Sequence, residues 1–210
     1  MPAVAANDRL EAGSATFRDF ALASTANSLV DDSNPINRDW TSNTAETLAE
    51  VVSVDAAQGL ARVRFKSVEC ELAIPLGWHA IEDRERAAIF TPDRSARLIL
   101  WRVDLAFEGA ADVEKYVTAK QAALRTRIPQ LAAQVRRLAE GEFLAVYTNV
   151  PARRGDSEPR VIFDLVTPNP TNKLRALLMT LGVPASRADR YLPLLALLSR
   201  ERKVSWRSDL

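Results

Sequence analysis

The chain has 210 residues, of which 47% are hydrophobic and 26% are charged. These values are typical of a globular protein with one hydrophobic core, and they exclude a collagen, a wholly disordered chain and a disulfide-stapled miniprotein. The formal net charge of +1 comes from 28 basic and 27 acidic residues, a balance too mild for the basic stripe of a nucleic-acid-binding surface. We therefore expect no nucleic-acid partner. Because no run of about 18 apolar residues occurs, we also expect no membrane span.

The two ends of the chain differ in charge. Residues 1–60 carry nine acidic and three basic side chains, whereas residues 61–210 carry 18 acidic and 25 basic ones. Because hydrophobic residues are sparse before residue 47, we predict an acidic, partly irregular N-terminal arm over residues 1–46 and a single α+β domain over residues 47–210. Opposite charges favour an arm that lies on the domain. Exposed ion pairs are weak and screened by salt, however, so a flexible arm with no docking site is the simpler alternative.

The arm contains three structural signals. Phe17 and Phe20 lie at helical spacing, which favours a short helix from Thr16 to Val30. The cluster Asp31–Pro35 is typical of a turn or linker. Trp40 is the one large anchor of the arm, and we expect it to attach this polar segment to the core.

From Leu48 onward, β-branched residues and period-two alternation predict strands. The first two, Leu48–Val54 and Leu60–Phe65, are predicted to form a β-hairpin whose loop ends at Gly59, a residue free to adopt a positive φ. Residues 131–140 are compatible with either a helix or a strand. Further strands are predicted over residues 68–74, 87–90, 97–103, 142–148, 160–166 and 174–181.

Two helices are predicted among these strands. The first begins near Asp112, whose negative charge is favourable at a helix N-terminus, and Pro129 ends it. Ser186 is predicted to cap the second helix over residues 187–199, with Pro193 inside it. The order of strands, helix, strands and helix lacks the alternation of a doubly wound fold. It predicts an α+β fold in which two main helices flank a central antiparallel sheet.

The sequence contains no recognisable catalytic or cofactor motif. Phosphate-binding glycine loops, zinc-protease motifs and nucleophile elbows are all missing from it. One histidine and one cysteine exclude a multi-histidine metal site and paired-cysteine metal sites. We expect His79 to be a surface or packing residue and Cys70 to be a small buried hydrophobe. The mixed charges of Glu82–Arg86 favour a solvated, self-neutralising loop over a pair of catalytic carboxylates. We therefore predict a protein that is not an enzyme, with no cofactor, no catalytic residue and no metal ligand.

Four residues are the candidates for binding. Trp78 follows a strand end and Trp206 lies in a predicted final strand or extended tail, and we expect both to line a partly exposed groove, since aromatic residues are enriched at interfaces. Arg153 and Arg154 flank a predicted loop tip, where they are suited to an anionic group or an acidic partner surface. The alternatives are core packing for the tryptophans and an ordinary polar hairpin tip for the arginines.

Several short patterns resemble the PsbP/Mog1-like group, which includes DcrB-type bacterial proteins. They are the strand end Ile74–Trp78, the turn Phe90–Asp93, the helix start Asp112–Tyr116, and a strand, proline turn and Leu-rich helix over Leu178–Leu198. The resemblance covers residues 71–206. It implies a central antiparallel sheet flanked by helices, an α/β/α sandwich, and proteins that act mostly as adaptors, assembly factors or chaperones. The shared patterns are structural, so no functional residue follows from them.

We predict a non-catalytic binding, assembly or chaperone-like module that recognises a protein segment or a small apolar ligand. One alternative is a secretion- or envelope-linked structural component that docks through its N-terminal arm, and another is a hydrolase with unmarked residues. Ala3–Ala5 resembles the end of a signal-peptide cleavage site, which favours a periplasmic or secreted location if a signal was removed and a cytoplasmic one otherwise. A protein partner is expected. The sequence leaves its identity and the oligomeric state open.

Overall fold

In the computed structural model, the described residues are 9–22, 47–107, 110–138, 141–152 and 157–206. They include two α-helices, α1 (Val113–Arg127) and α2 (Ala188–Glu201), and two short 3₁₀ turns, Phe17–Asp19 and Ala185–Arg187. In chain order the strands are β1 (Thr47–Leu48), β2 (Glu50–Asp55), β3 (Leu60–Phe65), β4 (Cys70–Pro75), β5 (His79–Glu82), β6 (Arg86–Phe90), β7 (Arg97–Asp104), β8 (Ala106–Phe107), β9 (Ala110–Ala111), β10 (Ala132–Arg137), β11 (Phe143–Val150), β12 (Arg160–Pro168), β13 (Arg175–Pro184) and β14 (Lys203–Val204).

The strands form one large and one small antiparallel sheet. The large sheet has eight strands in the order β1-β5-β6-β7-β13-β12-β11-β10, and the small sheet has four in the order β14-β4-β3-β2. Strands β8 and β9 pair separately. The pairings of both sheets are antiparallel. An α+β fold with an antiparallel sheet and two helices is therefore confirmed.

The two faces of the large sheet belong to different hydrophobic clusters, because successive side chains of a strand point to opposite faces. On β13, Leu177 and Met179 belong to a cluster that includes α2 and the small sheet. Ala176 and Leu178, on the same strand, belong to a second cluster that includes Val117 of α1. The polypeptide therefore buries α1 and α2 in separate hydrophobic clusters.

Local signals in the sequence explain most element boundaries. The predicted hairpin forms from β2 and β3, and Gly59 adopts a φ of +69° in its loop. The carboxylate of Asp112 accepts a hydrogen bond of 2.9 Å from the backbone N–H of Lys115 and so caps α1, which ends before Pro129. Residues 131–140 contain strand β10, which pairs with β11. The strand predicted over residues 174–181 is confirmed as β13.

Two helix predictions need correction. Ser186 does not cap α2, because it lies in a 3₁₀ turn and its N–H and hydroxyl donate to the carboxylate of Glu158 at 3.0 and 2.8 Å. The α-helix begins at Ala188 and includes Pro193. In the arm, the described part of the predicted helix contains only the turn Phe17–Asp19. Its remainder, residues 23–30, lies outside the described residues, as do the predicted linker over residues 31–35 and the anchor at residue 40.

Candidate binding groove

Trp78 is buried, not partly exposed as predicted. Only 1% of its surface is accessible, and its indole N–H donates a 3.0 Å hydrogen bond to the carbonyl of Phe20. The ring of Tyr191 lies edge-on to it, with 6.2 Å between centroids. The expected exposure was wrong because a segment 58 residues earlier in the sequence covers the indole.

That segment packs against a set of residues that we call the aromatic groove, formed by Leu60, Leu76, Trp78, Tyr191 and Leu197. We call residues 9–22 the N-terminal segment. Its two phenylalanines, Phe17 and Phe20, are each only 5% exposed and belong to the same hydrophobic cluster as the groove. The ring of Phe20 lies 5.9 Å from that of Tyr191. Burying each phenylalanine contributes roughly 1.5–3 kcal/mol.

The groove also binds the backbone of the N-terminal segment. Besides the bond from Trp78 to Phe20, the guanidinium of Arg190 donates to the carbonyl of Asp19 at 3.1 Å. The N–H of Leu22 donates to the carbonyl of Leu76 at 2.9 Å. Three hydrogen bonds to main-chain groups and two buried aromatic rings are the contacts expected between a protein and a bound peptide.

The N-terminal segment forms its own turn. The carboxylate of Asp19 accepts hydrogen bonds from the N–H and the hydroxyl of Thr16 at 2.7 and 3.1 Å. The N–H of Ala21 donates to the carbonyl of Phe17 at 3.0 Å. In a 3₁₀ turn, side chains three residues apart lie on the same side, so Phe17 and Phe20 both point into the groove. Helical spacing in the sequence was the signal for this turn.

Gly59 lets the segment approach the β2–β3 loop closely. A Cβ atom at this position would lie 2.9 Å from the Cα atom of Arg18, closer than carbon atoms pack. The carbonyl of Gly59 also accepts a hydrogen bond from the N–H of Leu76, in the groove wall. A residue without a side chain is therefore required here for steric as well as conformational reasons.

Trp206, the other predicted binding tryptophan, is not one of the residues that form the aromatic groove. Trp206 is partly buried, and the guanidinium of Arg102 lies 4.4 Å from its ring centroid. Arg102 also donates to the carbonyl of Ser205 at 2.9 Å, which fixes the end of the small sheet. Trp78 and Trp206 adjoin the same hydrophobic cluster. The loop tip at residues 153 and 154 lies outside the described residues, so Arg153 and Arg154 stay predictions.

His79 and Cys70 pack as expected. His79 is 8% exposed and stacks on the ring of Phe90, with 5.4 Å between centroids. Cys70 is 1% exposed within the main hydrophobic cluster. Burial raises the pKa of the Cys70 thiol from 9.0 to about 12, although the positive charges of Arg202 and Arg102 oppose the shift. A thiol that stays protonated at neutral pH is a poor nucleophile.

We expect Cys70 to react with Ellman's reagent at pH 8 at least about 100-fold more slowly in the native protein than in guanidinium chloride. The folded state holds the proton more tightly than the unfolded state, so the free energy of unfolding should fall as pH rises from 9 towards 12. This fall should be smaller in Cys70→Ala, which shares the other titrating groups. Rapid native labelling, or identical pH profiles for the two proteins, would show that the thiol is not buried in this way.

The predicted solvated loop over Glu82–Arg86 is exposed at Arg84 and Glu85, whereas Glu82 and Asp83 are buried. Glu82 is 6% exposed and accepts a 2.8 Å hydrogen bond from the N–H of Ser67. Asp83 is 7% exposed and forms a 3.0 Å ion pair with Arg86. Burial acts to raise the pKa of Asp83, but hydrogen bonds from Glu85 and Arg86, with the charge of Arg86, outweigh it and lower the pKa. These acids are structural acceptors, and the predicted neutralisation holds for Asp83 and Arg86.

A polar cluster between α1 and the large sheet was missed by sequence reasoning. Asp164 on β12 is 1% exposed, and Nζ of Lys120 on α1 lies 2.6 Å from its Oδ2 atom. The hydroxyl of Thr180 donates to Oδ1 at 2.6 Å. Burial, with the nearby charge of Asp164, raises the pKa of Tyr116 to about 12 and that of Tyr147 further. The sequence signal for this ion pair is a charged residue on the inner face of a helix, Lys120, together with a residue of opposite charge inside a strand, Asp164.

The cluster joins α1 to the large sheet. Thr180 also lines a cavity of about 90 Å³, together with Arg97 and Arg160. This volume holds about three water molecules.

Arg160 is 3% exposed, and one of its nitrogens donates to the carbonyls of Ser95 and Gly182 at 2.9 and 2.8 Å. The arginine therefore ties together three parts of the fold.

Metal-ligand clusters and membrane-spanning helices are both absent from the described part of the chain. No three His, Cys, Asp or Glu side chains there are grouped closely enough to hold a metal ion. No helix there combines the length and the apolar character needed to cross a membrane.

Comparison with known proteins identifies the fold. No protein-family model and no curated protein matches the sequence. The chain is similar to the crystal structure of the Saccharomyces cerevisiae Ran-binding protein Mog1p, with a TM-score of 0.50 and 12% identity over 69% of this chain and 95% of that one. It is also similar to the solution structure of PsbP (CyanoP) from Synechocystis sp. PCC 6803, with a TM-score of 0.50 and 14% identity over 73% of this chain and 95% of that one. The fold is therefore PsbP/Mog1-like, as the sequence resemblance predicted.

Proposed function

We propose that this protein is a non-catalytic binding or assembly module that recognises a protein segment in the aromatic groove. One observation carries the proposal: the groove already holds residues 9–22 in the manner of a bound peptide, through two buried phenylalanines and three hydrogen bonds to backbone groups. Trp78, a predicted binding residue, supplies one of those bonds. Trp206, Arg153 and Arg154 are proposed as additional contacts for the partner.

The chemistry of the groove supports binding over catalysis. Its walls are leucine, tyrosine and tryptophan side chains, and the indole of Trp78 and the guanidinium of Arg190, an exposed residue next to the groove, each donate to a backbone carbonyl of the segment. Apolar walls with a few placed donors are typical of recognition sites. A PsbP/Mog1-like fold is consistent with this proposal, since one similar structure is that of a Ran-binding protein. We further propose an α/β/α sandwich, supported by the separate clusters around α1 and α2.

The test uses the full chain and a fluorescent peptide of residues 9–22. In the Phe17→Ala/Phe20→Ala chain the groove loses its own ligand, so we expect it to bind the labelled peptide at least about tenfold more tightly than the wild-type chain does. The reason is that an intramolecular segment competes at a high effective concentration. Fluorescence anisotropy measures the affinities. A mutation that improves binding is an outcome that simple destabilisation does not produce.

The controls distinguish binding of the peptide in the aromatic groove from non-specific binding. The Ser14→Ala chain, changed at an exposed residue of the same segment, should behave like wild type. A labelled peptide with both phenylalanines replaced by alanine should not bind the variant chain. Circular dichroism verifies that the variant is folded. If the folded variant binds the two peptides equally, or binds neither, the aromatic groove is not a peptide site.

A further inference from the structure

One strand at a sheet edge presents apolar side chains to solvent. Strand β2 is the last strand of the small sheet, and no described strand pairs with its outer edge. Val51, Val52 and Val54 on this strand are 37%, 41% and 55% exposed. Val51 and Val54 lie directly opposite Val63 and Ala61 of β3, which are fully buried, and so point to the same face of the sheet. The apolar face of the small sheet therefore continues beyond the core to an open edge.

The other three edges of the two sheets are protected more strongly than β2. Strands β1 and β14 have only two residues each, and β10 carries Arg136 and Arg137. Short edge strands and charged edge residues are common means by which proteins prevent the addition of another strand. Between its ends β2 has neither a charged residue nor a proline, and the bulge at Val52 bends the strand but leaves its valines exposed. The edge of β2 is therefore suited to pairing with a further strand.

A row of alternating charges crosses the other face of the small sheet and stops at this edge. Lys203, Glu71, Arg64 and Glu50 lie opposite one another on β14, β4, β3 and β2. Their charged groups are 3.4, 3.5 and 2.9 Å apart in that order. Lys66 also lies 3.8 Å from Glu50, but its side chain is 75% exposed, so this pair is weak. Because opposite charges on neighbouring strands stabilise pairing and like charges oppose it, a strand added beside β2 is favoured when a basic residue lies opposite Glu50.

We infer that β2 is a docking edge for an extended segment of another protein, in which alternating apolar residues are flanked by lysine or arginine. The apolar residues contact Val51 and Val54, and the basic residues lie opposite Glu50 and beside Asp55, the acid at the other end of β2. Backbone hydrogen bonds along the edge supply affinity, as in other cases of strand addition. No residue of the aromatic groove lies on β2, so this inference does not depend on the proposed function.

A second copy of this chain fits the edge poorly. Antiparallel pairing of β2 with itself over its whole length puts Glu50 opposite Asp55, and like charges in that position destabilise a strand pair. Residues 47–55 contain no lysine or arginine, so no shift in register brings a basic residue of this strand opposite Glu50. The charges therefore select a partner with a different sequence.

The first test measures the binding of two labelled synthetic peptides to the full chain by fluorescence anisotropy. Both have a core of alternating valine and threonine as long as β2, flanked by lysines in one peptide and by glutamates in the other. We expect the lysine-flanked peptide to bind at least about tenfold more tightly. In its presence the backbone amides of Glu50–Asp55 should exchange with deuterium more slowly, because the added strand protects them. Equal affinities, no binding, or protection only elsewhere in the chain would overturn the inference.

The second test changes the edge itself. Val52→Lys places a charge among the exposed valines, and we expect it to weaken binding of the lysine-flanked peptide at least about fivefold. Val135→Lys on β10 is the matched control, because Val135 is 40% exposed and Val52 is 41% exposed. It should leave the affinity unchanged, and equal affinities of the two variants would show that the peptide does not pair with β2. Sedimentation of the chain without peptide tests the alternative occupant: a dimer that Val52→Lys dissociates would assign the edge to a second copy and overturn the inference.

Discussion

Lys120→Met is expected to lower the free energy of unfolding by about 3 kcal/mol or more, because it leaves the Asp164 carboxylate buried without its ion-pair partner. Asp164 is 1% exposed, so water does not replace the lost ammonium group. The cost of an unpaired buried charge exceeds the gain of the pair itself. Urea denaturation followed by circular dichroism measures the effect, with an unchanged m-value as the sign that the unfolding transition is the same.

The reverse substitution should be much milder. In Asp164→Asn the side chain that loses its partner is Lys120, which is 27% exposed and reaches solvent, and the new amide oxygen still accepts the hydrogen bond from Thr180. We expect a loss of about 1 kcal/mol. The double variant Lys120→Met/Asp164→Asn should be more stable than Lys120→Met alone, since it removes the buried charge.

Lys115→Met is the matched control on the same helix. Its ammonium group lies 3.9 Å from Asp112 and its side chain is 57% exposed, so its replacement should cost less than about 1 kcal/mol. Equal losses for Lys115→Met and Lys120→Met would show that the ion pair with Asp164 does not hold α1 on the sheet.

The second large effect is expected from Gly59→Ala, which should release the N-terminal segment. The added methyl group would lie 2.9 Å from the Cα atom of Arg18, so the segment or the loop must move. We expect trypsin to cleave after Arg18 at least about tenfold faster in this variant, because cleavage needs local undocking and each 1.4 kcal/mol changes the open population tenfold. Mass spectrometry of timed digests measures the rate.

Gly141→Ala separates this clash from backbone strain. Gly141 has a φ of +77°, close to the +69° of Gly59, but an added methyl group there meets no atom within 4 Å. Both substitutions should cost about 1–2 kcal/mol through the left-handed backbone. Only Gly59→Ala should accelerate cleavage after Arg18. Equal cleavage rates in the two variants would mean that the segment does not depend on its approach to Gly59.

Local patterns were enough to predict most elements of this fold. The hairpin of β2 and β3 follows from alternation around a glycine loop, and the start and end of α1 follow from Asp112 and Pro129. These residues act on their immediate neighbours, so the sequence alone contains the information. The order of strands and helices then indicates the α+β class, because it lacks the alternation that parallel sheets require.

Where local sequence patterns did not determine the structure, contacts with residues far away in the chain did. Residues 131–140 contain a strand because β11 pairs with Ala132–Arg137, although their composition favours a helix. Ser186 has the composition of a helix cap, but Glu158 accepts its hydrogen bonds from 28 residues away. Ser186 is therefore hydrogen-bonded to a carboxylate from a distant part of the chain and does not cap the helix.

The candidate site was only partly visible in the sequence. The sequence predicts Trp78 as a binding residue, yet its cover by Phe20 depends on a contact between distant parts of the chain. The spacing of Phe17 and Phe20 gave a helical signal, from which only a single turn resulted among the described residues. The cavities that Ala12 and Ala15 line have no sequence signal, because their walls come from distant parts of the chain, among them Leu60, Leu138 and α2.

Strand β13 lies between β7 and β12 in the large sheet, although it is nearly the last strand in the chain. A ribosome therefore releases β5, β6 and β7 on one side, and β10, β11 and β12 on the other, before the strand that joins them exists. Until residue 184 has left the exit tunnel, the nascent polypeptide carries two half-sheets with open edges, which readily pair with other chains. Completion of the large sheet thus waits for β13, and the facing edges of β7 and β12 stay unpaired until that strand is available.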